Sequence, residues 1–204
     1  MKKLLLARHG FAISNRDAGT ASSSPPGEGL TSEGVEQGRR LAEALAGERI
    51  DLGVSTELQR TRETLELALA GREVPQIVVP ELNEIQFGRY DGGPLDAYRG
   101  WAWTELPDVR APAGGESRAD AAARFARGLR LLLARPEQVV LAVGHALPLR
   151  YVIDAADGRV PAARMAPVQH AVAHRLSAGD VERAAALLES WSSEPRFRDP
   201  PNEG

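Results

Sequence analysis

Leu4-Leu5-Leu6-Ala7-Arg8-His9-Gly10 is an apolar run that stops abruptly on an arginine, a histidine and a glycine. The run has the length and composition of a buried strand. Its carboxyl end delivers a cation and an imidazole to a turn where glycine lets backbone come close to a ligand. In an open α/β sheet that edge is where ligands bind. One Arg-His-Gly tripeptide does not establish a site, so its weight depends on what the rest of the chain supplies.

Val139-Val140-Leu141-Ala142-Val143 repeats the construction, stopping at Gly144-His145. Two such corners on one parallel sheet bring His9 and His145 to the same edge. Between them, strand and helix patterns alternate. Thr31 or Ser32 caps a helix that closes near Gly47, Ile50–Val54 reads as a strand, and a helix with Leu58, Leu65 and Leu69 on one stripe starts at Glu57. Arg60 therefore sits in the first turn of a helix that begins at a strand's carboxyl end, where free N–H groups already favour anions. Gln76–Val79 is a further strand, followed by a loop from Glu81 to Gly88 that carries Glu84.

The stretch 89–113 reads as a small cap region with a helical excursion from Leu95 to Leu106, in which Tyr98, Trp101 and Trp103 serve mainly as packing. Ser117 caps a long helix to about Ala134, and Ala146–Ala156 is another, with Pro148 tolerated in its first turn. Pro167–Leu176 is read as a final strand with His170 and His174 on one face. Its β-branched alternation and the lack of a Glu in the motif argue against a helical zinc site. Val181–Trp191 is a last helix or strand pair. Asp17–Gly29, rich in Gly, Ser and Pro, is expected to be a mobile surface loop beside the first corner, either a connector or a lid. Residues 1–191 are expected to form a single domain and 192–204 a disordered tail.

Composition sets outer bounds. The 204 residues suit one domain with a substantial core, 43% hydrophobic and 26% charged is ordinary for a soluble globular protein, and a net charge of −3 gives no basic footprint for nucleic acid. All but two of the 25 basic residues are arginine. The absence of cysteine excludes disulfides, thiolate metal sites and a cysteine nucleophile. Arg8 and His9 interrupt the apolar start too early for a signal peptide, and no stretch has membrane-spanning length. A cytoplasmic protein with no membrane or nucleic-acid partner is expected. Oligomeric state is open, with a homodimer as one option.

Arg8, His9, Arg60, Glu84 and His145 are the residues left for chemistry. Two fixed cations and two imidazoles around one pocket favour a dianion such as phosphate. An imidazole nitrogen can attack phosphorus in line while a nearby carboxylic acid protonates the departing oxygen. The set is complete for phosphoryl transfer through a covalent histidine intermediate, with no metal or other cofactor required.

With these residues in hand, the chain resembles the histidine phosphatase superfamily, the phosphoglycerate-mutase-like family. The matching segments are Leu6–Gly10, Leu30–Gly38, Ser55–Thr64, Leu82–Gly88, Gly114–Ser117 and Val143–His145, in the family's order. The resemblance implies a three-layer α/β/α sandwich with a mostly parallel central sheet. It implies that His9 is the phosphorylated nucleophile, that Arg8, Arg60 and His145 complete the phosphate pocket, and that Glu84 is the proton donor. Asn15 matches a residue that touches the phosphate in many relatives. Phe11-Ala12 stands where relatives carry an acidic or amide residue and then Thr or Ser, and Ser14 stands where the mutases tend to have Trp. With the short 89–113 segment, these departures lean toward the phosphatase branch. A metal-independent phosphomonoesterase acting on a small phosphorylated metabolite is the leading expectation. A phosphoglycerate-type mutase and a non-catalytic phosphoanion-binding domain are the alternatives.

Overall fold

The computed structural model describes residues 1–17 and 19–198, and a five-stranded sheet lies at its centre. The strands are β1 (Lys3–Arg8), β2 (Leu52–Ser55), β3 (Gln76–Val78), β4 (Val139–Gly144) and β5 (Ala173–Ser177), in the spatial order β3-β2-β4-β1-β5. β1 to β4 run parallel, and β5 pairs antiparallel with β1 at one edge. The interior strands β1 and β4 are covered on both faces, which is why both are nearly continuous apolar runs.

Six helices cover the sheet: α1 (Ser32–Ala44), α2 (Gln59–Ala68), α3 (Leu95–Ala102), α4 (Arg118–Leu133), α5 (Ala146–Ala156) and α6 (Ala178–Ser193). Alternation along the strands sorts the core into two halves. Leu5, Ala7, Leu141 and Val143 meet Leu41, Leu45, Leu65 and Leu69 of the α1–α2 layer. Leu4, Leu6, Val140 and Ala142 belong to the larger half, with Phe125, Leu129, Leu149, Val152 and Leu188 from α4, α5 and α6. This is the expected three-layer sandwich. Thr31, Ser117 and Ser177 each accept a backbone N–H three residues on, capping α1, α4 and α6.

Three expectations need correction. Pro167–Leu176 is not one strand: β5 begins only at Ala173, because Ala171 takes a left-handed φ of 50° and breaks the ladder. His170 and His174 consequently do not share a strand face. The 17–29 loop, apart from residue 18, which lies outside the described residues, is tied down by acceptors its sequence does not show. Asp91 accepts from Ser23 N at 2.7 Å and Ser24 Oγ at 2.6 Å, and Ala21, fully buried, exchanges backbone hydrogen bonds with Gly92 and Gly93. The chain from 192 is not a free tail either. Ser192 and Ser193 belong to α6, Phe197 lies 5.9 Å from Trp191, and Arg198 donates to Asp154 at 2.9 Å. Residues 199–204 lie outside the described residues.

The turn after β1 is gripped by the start of α1. A Cβ on Gly34 would stand 2.2 Å from the Phe11 carbonyl oxygen, a backbone contact that cannot yield by a side-chain rotation. Gly34→Ala should therefore cost about 1–3 kcal/mol by overpacking. It should also lower turnover, because the displaced segment carries His9; an unchanged denaturation midpoint would show that the turn is not held from this side.

Candidate active site

The carboxyl ends of β1 and β4 are in register, Arg8 opposite Gly144, and His9 N donates to Gly144 O at 3.0 Å. The two corners thus place the His9 and His145 rings 5.3 Å apart, both almost wholly buried. Arg60, second residue of α2 and 3% exposed, reaches between them. Its Nε donates to His9 Nε2 at 3.2 Å and its Nη2 to His145 Nδ1 at 3.3 Å.

These contacts fix the imidazole tautomers. His9 Nδ1 lies 2.7 Å from the Gly10 carbonyl, which can only accept, so the proton is on Nδ1 and the Nε2 lone pair faces Arg60. In His145 the roles reverse. Nδ1 takes the hydrogen bond from Arg60, and Nε2–H donates to Thr56 Oγ1 at 2.9 Å. Thr56 passes the chain to Thr61 Oγ1, which donates to Leu58 O at 2.7 Å. Burial, then the positive charge of Arg60, holds both imidazoles well below the usual histidine range, so both are neutral at pH 7.

Arg8 donates to Val168 O at 2.8 Å, and its buried Nε has no hydrogen-bond partner among the described residues. Burial lowers its guanidinium to about 10, still cationic at neutral pH. Glu84 lies in the loop after β3, half-buried, accepting from Ile85 N at 3.0 Å, and desolvation raises its carboxyl above the usual range against the opposing pull of Arg60 and Arg8. Asn15 also faces this space, its Oδ1 occupied by Ala12 N at 3.0 Å.

Arg8, His9, Asn15, Arg60 and Glu84 line one cleft of about 980 Å³, counting the space open at its mouth; His145 stands behind Arg60. The outer cleft is mixed, with Leu95, Trp103, Leu147 and Met165 on its walls beside Arg99, Arg118 and Arg150. Among the described residues no group of three or more His, Cys, Asp or Glu side chains is placed to hold a metal ion.

Residues 4–193 match the family model described as histidine phosphatase superfamily (branch 1). The chain belongs to that superfamily. It is 37% identical over 89 residues, 44% of this chain and 43% of the relative, to the adenosylcobalamin/alpha-ribazole phosphatase of Escherichia coli K12. The match thus spans under half of that relative's length. A longer match, 31% over 160 residues and about 72% of each chain, is to a probable phosphoglycerate mutase of Proteus mirabilis. The crystal structure of the alpha-ribazole phosphatase from Shigella flexneri superposes with a TM-score of 0.71 at 28% identity, over 85% of this chain and 89% of that one.

Phe11 and Ala12, which depart from this superfamily's pattern, do not line the cleft. The Phe11 ring packs edge-on to His170 at 5.5 Å, and Ala12 is fully buried. His170, to which the sequence assigned no role, donates Nδ1–H to the His9 carbonyl at 2.8 Å and lies 5.4 Å from the His9 ring. Ser22 was also missed: its carbonyl accepts from Arg60 Nη2 at 2.8 Å. Neither residue had a local signal, since each acts through a contact made across more than 35 positions. Trp103 lines the cleft mouth under the Arg164 guanidinium at 4.8 Å, while Trp101 stacks on Tyr90 inside the cap. His174, paired opposite Leu6 in β5, is not part of the site.

Neutral buried imidazoles have a stability signature. Below pH ~6.5 the unfolded chain binds protons that folded His9 and His145 refuse, so stability falls on acidification by up to about 1.4 kcal/mol per pH unit for each ring. The raised Glu84 carboxyl acts in the opposite sense, its contribution being lost as pH rises. His145→Gln should therefore show a smaller drop in melting temperature between about pH 7 and about pH 5 than wild type does. Parallel curves for the two proteins would mean that His145 is not held neutral.

Proposed function

We propose that the protein is a metal-independent phosphomonoesterase that hydrolyses a small phosphorylated metabolite through a phosphohistidine. The observation that carries this reading is the His9 tautomer: Nδ1–H is committed to Gly10 O, and the nucleophilic lone pair of Nε2 is turned toward a guanidinium. A phosphate dianion placed against Nε2 takes hydrogen bonds from Arg60 and from the unsatisfied donors of Arg8.

In the first step the Nε2–P bond forms as the ester P–O bond breaks. The departing oxygen receives the proton of Glu84, whose carboxyl is raised above the usual range by desolvation. The resulting Glu84 carboxylate takes a proton from water as that water's oxygen attacks phosphorus and the N–P bond breaks. Free phosphate leaves, and both His9 and Glu84 return to their starting states. The guanidinium groups supply the charge stabilisation, so no step calls for a metal.

The relatives' names favour a nucleoside-like ester such as alpha-ribazole phosphate, and the Trp103 wall of the outer cleft suits a flat leaving group. A mutase reading is kept by the Proteus mirabilis match alone. It requires that the phosphoryl group return to a second hydroxyl, and it predicts stimulation by a bisphosphate with little phosphate release.

Phosphate release from a panel of esters in EDTA separates these readings. Wild type should turn over and His9→Ala should lose activity to background; near-wild-type activity in that variant would sink the mechanism. Glu84→Gln should lower kcat/KM, which reports the phosphorylation step alone, about 10²–10⁴-fold on alkyl phosphates and much less on p-nitrophenyl phosphate, whose leaving group departs without a proton.

A further inference from the structure

Glu84 makes a single side-chain hydrogen bond, to the next residue's N–H, so the position of its carboxyl is set by the backbone of its loop. That backbone is held from α4. Arg124 Nη1 donates to the Glu81 carbonyl at 3.0 Å and the Asn83 carbonyl at 2.9 Å, and Nη2 to the Glu84 carbonyl at 3.1 Å. The same guanidinium meets Glu116 on two sides, Nε to Oε1 at 2.7 Å and Nη2 to Oε2 at 2.6 Å. Glu116 Oε2 then accepts from Gln86 N at 3.0 Å, and Glu116 N donates to Gln86 O at 3.0 Å.

Both side chains are largely buried, at 14% and 13% exposure, so the pair is shielded from the screening that makes surface ion pairs weak. Gly88 closes the loop at φ +57°, where a Cβ would strike the Pro112 carbonyl oxygen at 2.2 Å. The segment between 81 and 88 is thus bound carbonyl by carbonyl to one arginine, and to the chain just before α4. Neither Arg124 nor Glu116 lines the cleft.

We propose that Arg124 and Glu116 are positioning residues for the general acid: a bidentate pair that fixes the Glu84 loop and sets where the proton is delivered. The proposal rests on the phosphatase reading above and on Glu84 as its acid. A planar guanidinium is needed, because it alone spans three carbonyls and a carboxylate at once; a lysine ammonium supplies the charge without that reach.

Turnover of an alkyl phosphate and of p-nitrophenyl phosphate by the full chain tests it, for wild type, Glu84→Gln, Arg124→Met, Arg124→Lys and Glu116→Gln. Arg124→Met should lower kcat/KM on the alkyl ester about 30-fold or more and on the aryl ester only several-fold, reproducing in weaker form the leaving-group pattern of Glu84→Gln in the phosphorylation step. Arg124→Lys should fail to restore the alkyl activity, and Glu116→Gln should give a smaller loss with the same asymmetry. Removing the Arg124 charge also raises the Glu84 carboxyl, so the basic limb of the alkyl-ester profile should move up in pH. Equal losses on both esters in the Arg124 and Glu116 variants, with Glu84→Gln behaving as expected, would overturn the clamp and leave the phosphatase reading standing. Full activity in Arg124→Lys would overturn it too, as would loss of the native circular dichroism spectrum in all three clamp variants, which would make the pair a folding staple. A wild type inert toward both esters would instead remove the phosphatase reading, and the clamp with it.

Discussion

Arg60 is the constraint around which the site is arranged. A full positive charge, 3% exposed, has no carboxylate bonded to it among the described residues; its partners there are two imidazole nitrogens, the Ser22 carbonyl and the Ser22 hydroxyl. Burying a cation against neutral acceptors alone is unfavourable by several kcal/mol unless something else compensates. The surroundings respond in the one way open to them, by turning lone pairs toward it. His9 places its proton on Gly10 and His145 on Thr56, so both rings present bare nitrogen to the guanidinium. A neutral imidazole with its lone pair turned to a guanidinium is thus the electrostatic consequence of a buried cation without an anion.

The same constraint explains why backbone crowds this edge. A charge held away from water must be held rigidly, or the site relaxes by admitting solvent. The turn after His9 is clasped by Gly34, its carbonyl is bonded by His170, and the 19–29 segment is pinned through Asp91 so that the Ser22 carbonyl stays on Arg60. None of these groups carries out chemistry, yet each removes a way for the cation to escape its geometry.

What the sequence disclosed follows from where the information was local. The corners were legible because an apolar run ending in Gly and His is a contiguous signal, and Arg60 because a helix start after a strand is one too. Glu84 needed the ordered family segments, since one loop carboxylate looks like any other. His170, Ser22 and Arg124 were illegible for a different reason. Their partners are backbone atoms 161, 38 and about 40 positions away, and a backbone carbonyl has no letter in the sequence. The order in the Ser-Pro-Gly loop was missed on the same ground: composition reports what a segment lacks for regular structure, not which carboxylate will bind it. The false start of the last strand arose because period-2 alternation continues through Ala171, although the left-handed residue there directs its N–H to the Arg8 carbonyl.

The site divides into parts with separate supports. The cluster of Arg8, His9, Arg60 and His145 hangs on β1, β4 and α2, whereas the Glu84 loop is fastened to α4 and to the segment preceding it, with no ion pair between the two groups among the described residues. The outer cleft draws its walls from a third source, α3, the start of α5 and the 163–168 segment. Side chains on those elements can change without disturbing Nε2 of His9 or the loop that carries Glu84. On the proposed mechanism, phosphoryl transfer is set by the sheet edge and the Glu84 loop, and the choice of ester by surfaces that the sheet edge does not constrain. Detailed substrate preference is correspondingly the property least readable from the motifs that define the fold, because none of those motifs reaches the outer walls.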